Sequence, residues 1–290
     1  MAKPQLNIET LAAAEEAYLI TGERAEDDAD WGDPFLDNAV GPLQIGGVYT
    51  FAARKGTGKS FSMLRQLLLI EEPSMYISLE DPRREIGRRV AAAPGLRAAK
   101  ERVKLYIPAR PKLTVIIDAM VKAKARVVGI DYLQVIQDDS GVGTFDRAGQ
   151  VRNVITELKA VARESRISIL LNAQLRRPES THSEPDPGGF GEPSEKEPRG
   201  TIFHIRDSSD VENQSEAVIL IHRLGRTKFD QTVAAVKGRL GGERRVFARG
   251  PGGWPEEVKG GKTASAPSRP VRPASSDERV LAELEKLIGE

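Results

Sequence analysis

The sequence predicts an α/β fold, with a mostly parallel central sheet covered by helices on both faces and an antiparallel extension. Three observations predict it. Apolar, β-rich runs recur along the chain at 48–53, 75–79, 103–107, 126–130, 167–172, 217–222 and 232–237. They are continuous rather than alternating in polarity, as strands buried on both faces must be. Amphipathic helical patterns at 60–70, 82–93, 113–124 and 148–164 separate the earlier runs, the arrangement of crossover-linked parallel strands. The last two runs follow without strong helices between them and read as the antiparallel extension.

The flanking segments read differently. Residues 1–38 form an N-terminal helix and acidic arm: Asn7 caps a short helix through Tyr18, with Ile8, Leu11, Ala14 and Tyr18 at helical spacing and Gly22 as the stop. The acidic stretch from Glu23 to Asp37 is broken by Trp31 and Phe35. It is either a solvated leader or an arm whose apolar residues dock on a neighbouring subunit. The core spans 39–255. Within it, 176–201 carries five prolines and many charges, and reads as a long mobile loop. Residues 256–274 have linker composition. In 275–290, Ser275 and Glu278 have capping-box spacing ahead of Val280, Leu281, Leu284, Leu287 and Ile288, an amphipathic helix that needs a docking surface.

Composition bounds the chemistry. Of 290 residues, 39% are hydrophobic, enough for a sizeable core and too many for a wholly disordered chain. There are 43 basic and 42 acidic residues, so the net charge of +1 selects no partner. The absence of cysteine excludes disulfides, thiolate metal sites and cysteine nucleophiles, and three dispersed histidines disfavour structural zinc. No apolar run could span a bilayer, and the opening residues lack a signal-peptide core, so a soluble, cytoplasmic protein without a membrane partner is expected.

The strongest local signal is Ala53-Arg54-Lys55-Gly56-Thr57-Gly58-Lys59-Ser60, followed by Phe61. It follows an apolar strand and opens a helix. Glycines there let backbone N–H groups face a phosphate, and the helix N-terminus adds its dipole. Lys59 would bridge β- and γ-phosphates and the Ser60 hydroxyl would ligate Mg²⁺, so ATP with Mg²⁺ is the expected ligand. Ala53 replaces the first glycine of the strict P-loop pattern. The run Val127-Val128-Gly129-Ile130-Asp131 ends in a carboxylate suited to Mg²⁺ through water, and Gly129 inside it signals close packing. Glu80 directly follows the run 75–79, a strand end where a carboxylate can orient and deprotonate the attacking water. Asp81-Pro82 reads as a helix cap with a first-turn proline.

With these pieces placed, the chain resembles the RecA-like motor domain of DnaB-type replicative helicases. The matching stretches are VYTFAARKGTGKS, MYISLE, VVGIDYLQVI, ISILLNAQLRR, HIRDSSDVENQSEAVILIHR and VAAVKGRLGG, in the family's order over about residues 40–250. The resemblance implies Lys59 and Ser60 on nucleotide and Mg²⁺, Glu80 as base, Asp131 as the second-strand Mg²⁺ carboxylate and Gln174 as γ-phosphate sensor. It places Lys237 and Arg239 at a neighbouring subunit's nucleotide, with Arg239 the arginine finger. Arg206, Asp207 and Ser209 fall where the family contacts single-stranded DNA, Ser209 standing where glycine is common. The segment 138–150 is a second candidate DNA loop. The family's helical collar, which commonly engages primase, has no counterpart here, which suggests a phage or mobile-element form acting in a bacterial host cell.

The resemblance implies an oligomeric, hexameric ATPase that couples Mg²⁺-ATP hydrolysis to movement on single-stranded DNA and unwinding in replication. A replication partner on the C-terminal helix would fit the tail. A RecA-like recombination or branched-DNA-processing ATPase, with or without nuclease activity, is the alternative. A degenerate DNA-bound adaptor is a third reading, which intact Lys59, Ser60, Glu80 and Asp131 oppose.

Overall fold

The computed structural model describes residues 28–93, 97–139, 146–175, 210–224, 228–236, 239–240, 243–249 and 255–258. The loop 176–201, most of the N-terminal helix and acidic arm, and the C-terminal helix therefore lie outside the described residues, as do Lys237, Arg206, Asp207 and Ser209.

Among the described residues ten strands form one sheet. In chain order they are β1 (Val48–Ala53), β2 (Ser74–Ser78), β3 (Val103–Tyr106), β4 (Val127–Asp131), β5 (Ser168–Gln174), β6 (Ala217–Leu224), β7 (Lys228–Val236), β8 (Arg239–Leu240), β9 (Arg244–Arg249) and β10 (Pro255–Glu257). Their spatial order is β10-β9-β7-β6-β1-β5-β4-β2-β3, with β8 paired beside β7. The six strands from β6 to β3 pair in parallel. From β6 to β10 every pairing is antiparallel. The extension thus begins one strand later than expected: β6 runs parallel to β1, and β7 is the first strand to reverse.

The helices are α1 (Pro34–Ala39), α2 (Lys59–Leu69), α3 (Arg83–Ala91), α4 (Arg97–Arg102), α5 (Leu113–Ala123), α6 (Arg147–Glu164) and α7 (Asp210–Gln214). The four patterned helices appear within a residue or two of their expected bounds. The short α1, α4 and α7 are too brief to show a period, and the sequence does not announce them. The buried sheet separates two apolar clusters. One holds α5 and α6 against β1, β2, β4 and β5 through residues such as Ile116, Met120, Leu158 and Leu171. The other holds α2 through Met63, Leu64 and Leu67 against Phe51, Tyr76 and Leu170. Gly129 explains the tight fit on that second face. A Cβ there would stand 2.7 Å from Leu67 Cδ1 and 2.9 Å from Met63 Sδ, so any larger residue would force these α2 side chains to shift.

Residues 28–38 are neither a solvated leader nor an arm on a neighbouring subunit. They are built into the chain's own core. Trp31 and Leu36 are fully buried. The indole meets Tyr49 edge-on at 4.9 Å and donates from Nε1 to Gly41 O. Asp33 caps α1, accepting from Phe35 N, with Pro34 at the first helical position. Its carboxylate also accepts from Arg65 Nη1 at 2.7 Å and Arg245 Nη1 at 2.5 Å, tying the segment to α2 and β9. The linker boundary moves as well: Glu256 and Glu257 belong to β10, paired with β9.

Candidate nucleotide site

Parallel strands bring their C-terminal ends to one edge of the sheet, where ligands of such sheets bind. Ala53 stands in register with Gln174, and Ser78 with Asp131. The P-loop, Glu80, Asp131 and Gln174, scattered through the sequence, therefore share that edge.

The loop between β1 and α2 needs its glycines. Gly56 and Gly58 have φ of 77° and 120°, which side-chain-bearing residues rarely adopt. Thr57 is buried, with its N–H directed to Arg54 O at 3.3 Å. Gly58 is the N-cap of α2 and, being glycine, makes no side-chain bond to that first turn. Lys59 is buried and its ammonium lies 4.4 Å from the centre of the Tyr132 ring. Lys55, Gly56, Gly58, Lys59, Ser60 and Phe61 line a cleft of about 270 Å³ together with Glu80, Asp81 and Arg89. That volume is at the lower end of small-molecule sites.

Ala53 and Arg54 lead into this loop but do not line the cleft. Glu80 is exposed at its wall. Asp81 does not cap α3: the N-cap is Pro82, with no side-chain bond. The Asp81 carboxylate instead pairs with Arg89 Nη1 at 2.5 Å. The loop is fixed locally, since Asp81 N donates to Ser78 Oγ at 3.2 Å. Arg89 also reaches Glu85 and lies over the Phe61 ring at 5.2 Å. Arg88 and then Arg89 hold the Glu85 carboxyl down at about 2. Sequence reasoning alone does not single out Arg89. Its one signal is the i,i+4 spacing from Glu85.

Asp131 is 2% exposed at the end of β4. One oxygen, Oδ2, accepts from the Tyr76 hydroxyl at 2.8 Å, while Oδ1 is buried without a hydrogen-bond partner. Burial, and then the Asp131 charge, push the Tyr76 phenol well above its ordinary value, so it is the donor in this pair. An anionic oxygen left unpaired in the core is costly unless a cation or water meets it. Carboxylate and hydroxyl oxygens are the hard donors that Mg²⁺ takes, but Asp131 is not among the residues that line the cleft with Ser60. Among the described residues no group of three or more acidic or histidine side chains could hold a metal by itself.

Gln174 ends β5 as expected, and its N–H donates to Gln134 Oε1 at 3.0 Å. Gln134 sits in the short 3₁₀ turn Leu133–Val135 and couples the segment after Asp131 to the end of β5, a role its sequence position does not advertise. In the second candidate DNA loop the acidic pair is engaged internally. Asp138 accepts from Asn153 Nδ2, and Asp139 accepts from Thr114 N and Oγ1. Arg239 lies in β8, paired with Val236 of β7.

Sheet order and phosphate-loop geometry define a RecA-like P-loop nucleoside-triphosphatase fold. The chain belongs to the DnaB-like helicase C-terminal domain family, whose model matches residues 97–246. The matched stretch contains Asp131, Gln174 and Arg239, while the P-loop and Glu80 precede it. Among solved structures, the chain is similar to one described as an ATPase domain, with a TM-score of 0.66 and 17% identity over 87% of this chain and 99% of that one. It is also similar to a DnaB-like replicative helicase solved to describe its interactions with primase, with a TM-score of 0.62 and 17% identity. That match covers 84% of this chain and 66% of the other. At such identities the likeness is one of fold. No curated protein matches the sequence. No described helix is long and apolar enough to cross a membrane.

Proposed function

We propose that the chain is the motor of a ring-forming DNA helicase that couples Mg²⁺-ATP hydrolysis to translocation on single-stranded DNA. The observation that carries the reading is Asp131: a buried carboxylate with one unpaired oxygen, at the sheet edge shared with the P-loop and Glu80. Family membership supplies the DNA-motor context. In this reading the α2 amides, Lys59 and the Ser60 hydroxyl bind the triphosphate, and Asp131 holds a water of the ion's shell. Mg²⁺, when bound, neutralises charge developing on the transferred phosphoryl group. Glu80 orients a water on the exposed side of the cleft and takes its proton. Gln174, tied through its backbone to Gln134, reports the γ-phosphate to DNA-binding segments.

Arg239 is proposed to complete a neighbouring subunit's site in trans, with Lys237 beside it, in a hexameric ring. Arg206, Asp207 and Ser209 are proposed to follow the DNA backbone, and the C-terminal helix, 275–290, to dock a replication partner. Primase is a candidate partner by family, and a cytoplasmic location suits this work.

The test is DNA-stimulated ATPase activity and forked-duplex unwinding. Lys59→Ala should reduce hydrolysis to near background with the fold intact by circular dichroism. Glu80→Gln should bind ATP normally and fail to hydrolyse it. Normal turnover by pure Arg239→Ala protein would remove the trans finger. Strand exchange or DNA degradation in place of unwinding would overturn the helicase reading.

A further inference from the structure

We infer that Tyr76 is a positioning residue that presents Asp131 to the nucleotide-bound magnesium ion; the inference rests on the ATPase reading above. The two side chains sit on neighbouring parallel strands, with Ser78 of β2 in register with Asp131 of β4. Tyr76, one pleat earlier, extends its hydroxyl to Asp131 Oδ2 at 2.8 Å, and both residues are at most 2% exposed.

The ring belongs to the apolar cluster of Met63, Leu67 and Leu170, where phenylalanine would fill the same space with no hydroxyl to satisfy. The hydroxyl is therefore not needed for packing. Its bond is to Oδ2, the carboxylate oxygen other than the unpaired Oδ1. A carboxylate can rotate about its terminal torsion and can bind a metal through one oxygen or two. A bond to Oδ2 fixes the plane of the group and leaves Oδ1 as the single acceptor. Mg²⁺ demands octahedral geometry and keeps much of its water, so one fixed acceptor toward a coordinated water suits it better than a free, bidentate carboxylate. Partners that orient a metal-site carboxylate influence affinity about 10–100-fold.

The experiment titrates Mg²⁺ against a fluorescently tagged ADP bound to the full chain, beside an ATPase titration. Tyr76→Phe should leave the Mg²⁺-free affinity for the probe and the circular dichroism unchanged, which also shows that the variant folds. It should raise the Mg²⁺ concentration for half-maximal tightening about tenfold, and the Mg²⁺ requirement of hydrolysis with it. In an Asp131→Asn background, adding Tyr76→Phe should change neither value, since the two residues act as one unit. An unaltered Mg²⁺ requirement in Tyr76→Phe would overturn the inference. So would an equal further shift on the Asp131→Asn background. Wild-type protein whose affinity for the probe ignores Mg²⁺ would overturn the ATPase reading itself. A wild-type response with an indifferent Tyr76→Phe would leave that reading standing.

Discussion

Asp33 and Asp131 are equally buried, each 2% exposed, and the chain treats them in opposite ways. Asp33 is saturated. It caps α1, and it pairs with Arg65 of the P-loop helix and with Arg245, itself bound through Nε and Nη2 to Gln231 Oε1. Burial alone would raise its carboxyl, but Arg245 and Arg65 outweigh burial and hold it below the ordinary 3.8. Asp131 has one neutral donor and an unpaired oxygen. A fully matched buried charge fixes one geometry and has no capacity left for a ligand. An under-matched one stores unfavourable energy that a cation can release. The N-terminal clamp thus leaves no acceptor free, whereas the β4 end keeps the one oxygen that the proposed Mg²⁺ site uses, although both are buried aspartates.

The largest expected effect is on the clamp. Asp33→Asn leaves the 3%-exposed Arg245 without its main counter-charge and should cost about 3–5 kcal/mol of stability. Denaturant unfolding measures it, and ATP turnover per folded molecule should be unchanged. A small loss would mean that the clamp is not the stabilising centre proposed for it. Next is Asp131→Asn, for which a roughly hundredfold fall in hydrolysis is expected with no loss of melting temperature. A clear loss of thermal stability there would erase the contrast between the two sites.

Acid titration sharpens the same contrast. Because the folded-state value of Asp33 lies below its unfolded value, its contribution is complete above the ordinary 3.8 and is lost as pH falls through the lower folded value. Stability followed by circular dichroism between pH 6 and 2 should therefore fall less steeply in Asp33→Asn than in wild type (a pH range on the order of the carboxylate window). The smallest effect is expected at the exposed Asp118–Lys122 pair on α5, where Lys122→Ala should change stability by under about 0.5 kcal/mol.

Much of the fold was legible because local period reports burial. The continuous apolar runs at 48–53 and 126–130 became central strands, and the amphipathic 113–124 and 148–164 became covering helices. The P-loop glycines and the carboxylate ending VVGID were readable because backbone geometry and strand-end chemistry are local demands. Gly129 announced close packing, and the contact with Met63 and Leu67 is its reason. The acidic 28–38 misled, since charge density resembles a solvated arm when the matching cations are unknown.

What the sequence alone determined was the set of elements and the chemistry of each loop, because helix, strand and phosphate-loop preferences act over a few residues. The tertiary structure decided which distant groups meet. Asp33 and Arg245 are 212 positions apart and meet only because the start of α1 lies against Arg245 of β9. Tyr76 and Asp131 meet only because β2 lies beside β4 in a register that no local pattern encodes. Strand order and register are settled by the fit of whole faces against one another, a property of the assembled core rather than of any segment.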